Sequence, residues 1–411
     1  MLHLSYNMIS SLSLRGSIII LMLYMSHIMP IIIFGQISAI YILILSLSQI
    51  IGYSLSSLAL SKIEQNINNN QNIIFSCIIW WLTISLSISM FMLLFYKFIQ
   101  HSFFNNLVSL SIYIWGVLCL FGISLEIMAN GIAIGHSKMA ALAKAGAIQG
   151  LAMITIAPLS IYFFGISGLF TIPVFSLISG SYVIYVSTRS SELSGIWKNW
   201  RSSLIQEFTE TIWPSALAAI FLTALNIALI NIVSGQDNAE IKLAYFSISM
   251  QFISIINFPY QIMANYITSV AIKININNEN DVIYYLIKSI IYSIFFTVII
   301  TIINNYIYYY YLPILSYKYL HIFSFINLII LISSSLGISQ ILTINYIIKF
   351  RQNRLSMITL LSTTIGIIYF ILSDYKSDYN MLFSIFISNI FRIIMMLIDI
   401  VILKFRRAQH G

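Results

Sequence analysis

This chain of 411 residues carries very little charge, because only 8% of its residues are Asp, Glu, Lys or Arg. Soluble domains carry about 25% charged residues, so a water-soluble globule is excluded. Glycine (17) and proline (6) are also scarce, which excludes collagen-like repeats and Pro/Gly-rich disorder. The two cysteines, Cys77 and Cys119, both lie inside apolar runs. This placement argues against a disulfide framework and against cysteine metal ligands.

Long apolar runs dominate what is present, since hydrophobic residues make up 59% of the chain. A helix needs roughly 20 apolar residues to cross the hydrocarbon core of a bilayer. The sequence therefore predicts an all-α polytopic membrane protein with about twelve transmembrane helices. The predicted spans are 16–34, 37–60, 73–96, 107–129, 140–164, 166–187, 211–233, 241–271, 282–304, 320–347, 356–373 and 380–403.

The basic residues predict the orientation of these spans. The net charge is +8, and most Lys and Arg residues fall in the loops on one side of the predicted spans. Because cytoplasmic loops are enriched in Lys and Arg, we expect this side and both termini to be cytoplasmic. The basic residues occur singly between apolar runs, which argues against a nucleic-acid partner.

A polar segment near the middle predicts three regions. These are an N-terminal six-helix lobe at 1–187, a cytoplasmic amphipathic linker at 188–210 and a C-terminal six-helix lobe at 211–411. Two similar lobes are typical of transporters. Polar residues at helical spacing follow one face of the second span, including Gln49, and of the eighth span, including Gln251, Asn257 and Gln261. Each stripe is expected to face a water-filled cavity or another helix.

Arg392 is the most informative charge, because it lies about midway along the last predicted span. A charge at that depth costs at least about 2.5–3.5 kcal/mol. We interpret it as an anion-binding guanidinium that faces a central cavity. The alternative is a structural charge pair between helices. Asp399 lies seven residues further on nearly the same helical face, so we expect it to neutralise Arg392 in part.

The other ionisable residues lie nearer the ends of spans. Arg15, Lys144 and Lys288 are predicted to form the rest of a cationic cavity, with snorkelling to the interface as the alternative. Glu126 is expected to pair with Lys144 across the intervening turn. Glu126, Asp399 and His27 are the candidates for ion coupling, although a single helical histidine is more often packed and neutral. No nucleotide-binding, hydrolase or metal-binding motif occurs, so we predict no enzymatic activity, no metal site and no resident cofactor.

Three local segments carry a family resemblance: Phe34 to Tyr41, Asn130 to Met139, and Gly165 to Leu169. With the span number and the central linker, they make the chain similar to the Wzx-type O-antigen flippases of the MOP (MATE-like) transporter superfamily. The resemblance implies two lobes around a cationic cavity that opens alternately to either side. It implies an undecaprenyl pyrophosphate-linked oligosaccharide as cargo and coupling to a proton or Na⁺ gradient. We expect a monomer in the bacterial inner membrane, acting either alone or beside an O-antigen polymerase and a chain-length regulator.

Three other functions remain open from the sequence. An O-antigen polymerase is expected to have a large external loop, and every predicted external loop is short. A cation-coupled multidrug exporter usually carries an acidic residue in its first helix, and the first predicted span has none. A purely structural membrane scaffold would have little use for an ionisable residue near the bilayer midplane.

Overall fold

The computed structural model describes residues 6, 13, 16–62, 70–136, 138–188, 206, 208–273, 287–288, 290–302, 322, 324–348, 352–373 and 378–408. Secondary structure in these ranges is helical throughout, which confirms the all-α fold class. Helices suit this sequence because lipid offers no hydrogen bonds, so each backbone group must be satisfied within its own segment. Hydroxyl side chains follow the same rule: Thr223, for example, donates to the carbonyl of Ala219 at 2.9 Å.

In the N-terminal half, residues 17–188, the described residues form seven helices and one 3₁₀ turn. The helices are α1 (Ser17–Ile28), α2 (Ile31–Lys62), α3 (Asn70–Leu94), α4 (Tyr96–Phe104), α5 (Leu110–Gly135), α6 (Met139–Phe164) and α7 (Thr171–Thr188). The 3₁₀ turn at Gly165–Phe170 joins α6 to α7.

The C-terminal half, residues 208–408, begins with a π-helical turn at Phe208–Ile212. Its helices are α8 (Trp213–Ser234), α9 (Ala239–Lys273), α10 (Ile290–Ile302), α11 (Ile326–Ile348), α12 (Gln352–Leu372) and α13 (Asp378–Ala408). Nine helical segments in the described ranges are long and apolar enough to cross a membrane. The chain is a multi-pass membrane protein.

The two halves pair their helices in the same order. In the first half α2 packs on α5, α5 on α7, α1 on α6 and α6 on α7. In the second half α9 packs on α11, α11 on α13, α8 on α12 and α12 on α13. Thus α8, α9, α11, α12 and α13 repeat the pairing of α1, α2, α5, α6 and α7. The boundaries of two lobes and a linker stay a prediction, since 189–205 and 207 lie outside the described residues.

The halves also contact each other, mainly through α2, which packs on both α8 and α9. The amide of Asn231 in α8 donates to the carbonyl of Ser102 in α4 at 2.7 Å. The rings of Trp80 in α3 and Phe208 stack with centroids 4.9 Å apart. One apolar core, which includes Trp115, therefore extends across both halves.

Several predicted boundaries are wrong, and the first two helices show why. The sequence predicts a break at residues 35–36, whereas the break lies at Met29 and Pro30. Met29 is extended (φ −82°, ψ 150°), the conformation that a following proline favours. Pro30 accepts a hydrogen bond from the Phe34 amide at 3.0 Å, so it opens α2 where its missing N–H costs nothing.

Other helices run past their predicted ends. The fourth predicted span stops at residue 129, but α5 continues through Gly131 to Gly135. After α3 the chain turns at Phe95 and continues as α4 to Phe104. Short polar and glycine-containing stretches at these ends look like loops in sequence, but packing against neighbouring helices keeps them helical.

Candidate functional site

Arg392 lies in the middle of α13, which spans Asp378–Ala408, and only 5% of its surface is exposed. Its depth along the helix is about 21 Å at 1.5 Å per residue. The guanidinium Nη2 donates to Ser339 Oγ of α11 and, at 2.8 Å, to Asn389 Oδ1 one turn earlier in α13. These polar partners hold the side chain between α11 and α13.

The hydrogen-bond capacity of Arg392 is only partly used within the described residues. Nε of Arg392 and Nδ2 of Asn389 are buried and have no partner there. A guanidinium presents five N–H donors in a planar fork, and both bonds that it makes here come from Nη2. Spare donors on a buried cation are the arrangement that binds an anionic oxygen well.

Tyr53 of α2, in the first half, lies near enough to this guanidinium for the two side chains to interact electrostatically. Gln49, Tyr53 and Ser56 are half-buried. Leu55 on another face of α2 is fully buried in the core. Gln49 and Tyr53 are thus packed less tightly than Leu55, whereas Ser56 lies against Gly131 of α5.

The polar stripe on α9 is packed more tightly than the one on α2. Gln251 and Asn257 are buried at 7% and 1% exposure, and Ser247 is fully buried. Ser333 of α11 donates to the Ile253 carbonyl at 3.2 Å, tying the two helices together. This placement favours helix packing over a water-filled cavity for these residues. The Oδ1 of Asn257 and the Oγ of Ser247 still have no partner among the described residues.

A second polar cluster lies inside the first half, at Glu126 of α5. Gln149 of α6 donates from Nε2 to Glu126 Oε2 at 2.9 Å and to Ser176 Oγ of α7 at 3.1 Å. Gln149 and Ser176 are buried, at 1% and 0% exposure. Gly180 of α7 lies so close to α5 that an added Cβ would come within 2.9 Å of Leu125. The cluster therefore joins three tightly packed helices.

The predicted partners of Glu126 and Asp399 are wrong. Asp399 does not serve as the counter-ion of Arg392: its Oδ1 pairs with Arg354 Nη1 at 3.0 Å, and its Oδ2 accepts from the Tyr346 hydroxyl at 3.0 Å. A seven-residue separation along α13 places it about 10 Å further along the helix, beside α12. Glu126 bonds to Gln149.

The remaining predicted residues lie at exposed positions or outside the described part. Lys144 is exposed on the same α6 face as Ile148 and Leu151, so its placement favours snorkelling. Lys288 is exposed and lies 5.9 Å from the ring centroid of Tyr292. His27 is exposed in the last turn of α1.

Arg15 and the side chain of Gln261 lie outside the described residues. Their predicted contributions to the cavity, like those of Lys144 and Lys288, stay predictions. No group of three His, Cys, Asp or Glu residues that would hold a metal ion occurs in the described ranges.

Four site residues were missed from the sequence: Gln149, Ser176, Ser339 and Asn389. Asn389 had a usable signal, because it lies three residues before Arg392 on the same helical face. The other three are ordinary polar residues in apolar helices, and only the packing of separate helices brings them to a charge.

Comparison with known proteins identifies the fold. No family model and no curated relative matches the chain. A multidrug resistance MATE family transporter of the MOP superfamily, in an outward-facing conformation, superimposes with a TM-score of 0.73 at 15% identity. That match covers 98% of this chain and 96% of the other.

Two further MATE structures are similar over nearly the full length. The eukaryotic MATE transporter AtDTX14 gives a TM-score of 0.75 at 13% identity, covering 97% of this chain and 95% of the other. A mutant of the Vibrio cholerae MATE transporter VcmN gives 0.72 at 10% identity, covering 99% and 95%. The chain thus has the fold of MATE transporters, and at these identities the likeness establishes the fold alone.

Proposed function

We propose that this protein is a transporter that moves an undecaprenyl pyrophosphate-linked O-antigen repeat unit from the cytoplasmic to the periplasmic leaflet of a bacterial inner membrane. The observation that carries the proposal is Arg392, a buried cation with spare N–H donors and no carboxylate among its described hydrogen-bond partners. Removing a guanidinium from water costs several kcal/mol unless a partner restores the lost interactions. An anionic cargo supplies that partner.

Pyrophosphate matches this site chemically. Guanidinium groups bind phosphate oxygens through two parallel charge-assisted hydrogen bonds. Arg392 lies near the middle of its helix and interacts electrostatically with Tyr53 of α2. Gln49 lies one turn before Tyr53 on the same face of α2. Amide and hydroxyl groups on that face suit the sugar hydroxyls next to the pyrophosphate, while the polyprenyl tail stays in the bilayer.

Transport follows an alternating-access cycle in this proposal, with the energy supplied by a proton or Na⁺ gradient. The fold supports such a cycle because two halves with the same helix pairing meet at α2, α8 and α9. The protein acts as a monomer in the cytoplasmic membrane, beside an O-antigen polymerase and a chain-length regulator. It requires no metal or organic cofactor.

The test is a transport assay in cells that lack the chromosomal gene. Arg392→Gln is expected to reduce long-chain surface polysaccharide about 10- to 100-fold, the loss of one charge-assisted hydrogen-bonding group. Lipid-linked single repeat units should accumulate on the cytoplasmic face. Arg392→Lys should retain part of the activity, because lysine keeps the positive charge but lacks the planar guanidinium that forms two parallel hydrogen bonds.

Arg354→Gln is the matched control, since it removes a guanidinium whose side chain is 46% exposed, and it should keep normal transport. Wild-type transport by Arg392→Gln at equal membrane level would overturn the assignment. Repeat units that reach the outer face unpolymerised in the deletion strain would indicate a polymerase instead.

Multidrug export is the second candidate, because one of the similar structures is described as a multidrug resistance transporter. Here the half-buried Glu126 would hold an organic cation. Drug resistance that is lost in Glu126→Gln and unchanged in Arg392→Gln, with intact surface polysaccharide in the deletion strain, would favour this function.

A further inference from the structure

The amide of Asn389 contains a buried N–H group that no described residue uses. Asn389 lies on α13 three residues before Arg392, and only 4% of its surface is exposed. Its Oδ1 accepts a hydrogen bond from Arg392 Nη2 at 2.8 Å, whereas its Nδ2 donates to none of the described residues. An unmet buried donor costs about 1–3 kcal/mol. An acceptor oxygen on a ligand would therefore stabilise this arrangement.

The guanidinium of Arg392 fixes the orientation of this amide. An arginine side chain donates hydrogen bonds, cannot accept them and stays protonated in proteins. The oxygen of the Asn389 amide must therefore face Nη2, because the reversed amide would place N–H groups of both side chains against each other. Nδ2 is thus the group left over as long as the two side chains stay bonded.

Ser339 and Asn389 occupy the nitrogen that both forks of the guanidinium share. Nη2 of Arg392 carries two hydrogens and donates to Ser339 Oγ and Asn389 Oδ1. Each of the two parallel N–H pairs of a guanidinium includes one hydrogen of this nitrogen. A phosphate that binds either pair must therefore share Nη2 with a protein oxygen, and a further donor beside it would strengthen its binding.

Nδ2 of Asn389 lies close enough to the guanidinium to be that donor. The oxygen and nitrogen of an amide are about 2.2 Å apart, and Oδ1 lies 2.8 Å from Arg392 Nη2. Nδ2 is therefore within about 5 Å of Nη2. Because an N–H···O hydrogen bond spans about 2.7–3.2 Å, one phosphate oxygen can accept from both side chains.

No carboxylate in the described helices around Asn389 competes for this donor. Helix α13 packs on α9, α11 and α12. The segments of α11 and α12 contain no Asp or Glu, and the one acid of α9, Glu240, lies in its first turn. On α13 itself, Asp378 and Asp399 are each at least about 15 Å along the helix from Asn389, and Asp399 pairs with Arg354.

We infer that Asn389 is a second anion-binding residue of this site, whose Nδ2 donates to the phosphate group that Arg392 holds while its Oδ1 positions the guanidinium. Ser339 differs from Asn389, because it gives its own hydrogen to the Leu336 carbonyl at 3.0 Å and can only position Arg392. The identity of the anion as a polyprenyl pyrophosphate rests on the proposed function.

The test is equilibrium titration of the purified full-length protein with undecaprenyl pyrophosphate in detergent micelles. Asn389→Ala should weaken binding about tenfold or more, the loss of one charge-assisted hydrogen bond. Ser339→Ala should weaken it by less than about threefold, because Ser339 has no hydrogen left for the ligand. Equal losses in the two variants would indicate that both residues only position the guanidinium, which would overturn the inference.

A second titration separates direct contact with the ligand from positioning of Arg392. In an Arg392→Lys background, which keeps the positive charge, Asn389→Ala should still weaken binding at least about threefold, because Nδ2 meets the phosphate without the guanidinium. A residue that acts only through the guanidinium would have no effect in this background. That result would also overturn the inference.

Asn231→Ala is the matched amide control, because Asn231 bonds to the carbonyl of Ser102 at the contact of α8 with α4; it should bind like the wild type. If Asn389→Ala does not fold, Asn389→Leu takes its place, since leucine fills the volume and removes the polar atoms together.

The same titrations distinguish this inference from the proposed function. If the wild type does not bind undecaprenyl pyrophosphate, both are overturned. If Arg392→Gln loses binding and Asn389→Ala does not, only the role of Asn389 is overturned. The expected affinities together with intact surface polysaccharide in the deletion strain would support the role of Asn389 and overturn the proposed function alone.

Discussion

The two halves of this protein use one helix pairing to bury opposite charges. In the first half, Glu126 lies on α5 and bonds to an amide on α6, which also reaches a hydroxyl on α7. In the second half, Arg392 lies on α13 and bonds to a hydroxyl on α11. Helices α11 and α13 repeat the positions of α5 and α7. The charged residue is on α5 in the first half but on α13 in the second, and the hydroxyl is on α7 in the first half but on α11 in the second.

The repeated fold therefore determines where a polar cluster lies, whereas its side chains determine which hydrogen-bonding groups it offers. Both clusters sit between tightly packed helices, where a polar side chain needs a partner. Among the described residues, the carboxylate accepts from an amide whose own oxygen has no partner. The guanidinium donates to two oxygens, and its Nε has no partner there. The two clusters therefore differ in whether an acceptor or a donor is left over.

The largest expected effect separates the two charges by what they bind. In Na⁺-free buffer, Arg392→Gln should weaken equilibrium binding of undecaprenyl pyrophosphate about 10- to 100-fold, because it removes the charge-assisted donors. Glu126→Gln, in the other cluster, should change that affinity by less than about threefold. Titration of the purified variants measures both values. An equal loss of affinity in both variants would contradict the proposal that only the second half binds the pyrophosphate.

Glycine packing offers a smaller and more structural test of the repeat. A Cβ added at Gly131 of α5 would lie 2.6 Å from the Cα of Ser56 in α2, and one added at Gly337 of α11 would lie 2.5 Å from the Cβ of Tyr260 in α9. These are corresponding helix pairs. Gly131→Ala and Gly337→Ala should each lower the free energy of unfolding by about 1–3 kcal/mol through overpacking.

That loss should appear although Ala gains about 1 kcal/mol over Gly in a helix. Gly235→Ala is the control, since its nearest neighbour would be 3.7 Å away, and its stability should stay near that of the wild type. Denaturation in detergent micelles measures all three. A loss of stability in only one of the two variants would show that the α2–α5 and α9–α11 contacts are not equivalent.

The smallest expected effect concerns Asp399, the acid that lies on the helix of Arg392 and pairs elsewhere. Its partner Arg354 has a side chain that is 46% exposed, and ion pairs this open contribute about 0–1 kcal/mol. Asp399→Asn keeps an oxygen for the Tyr346 hydroxyl, so Tm should fall by a few degrees at most. Transport by Asp399→Asn should persist. A loss of transport would indicate that Asp399 contributes to the substrate cavity after all.

The membrane-spanning helices were predictable because their signal is local. An apolar run of sufficient length predicts a span wherever it occurs, and most of the predicted spans coincide with helices of the described part. The ends were less predictable. Gly131 and its neighbours resemble a loop in sequence, but contact with α2 keeps them in α5. Pro30 is also a local signal, and it marks the true break better than the predicted boundary at 35–36 does.

The sequence by itself determined the class of protein and the presence of a few costly intramembrane charges, because both follow from composition and from position along a single helix. Only the tertiary structure decided which groups those charges meet. Arg392 and Asp399 share a face of α13, yet one bonds to Ser339 and the other to Arg354. Such pairing depends on which helices lie alongside, and residues 53 and 45 positions away are brought within about 3 Å only by packing.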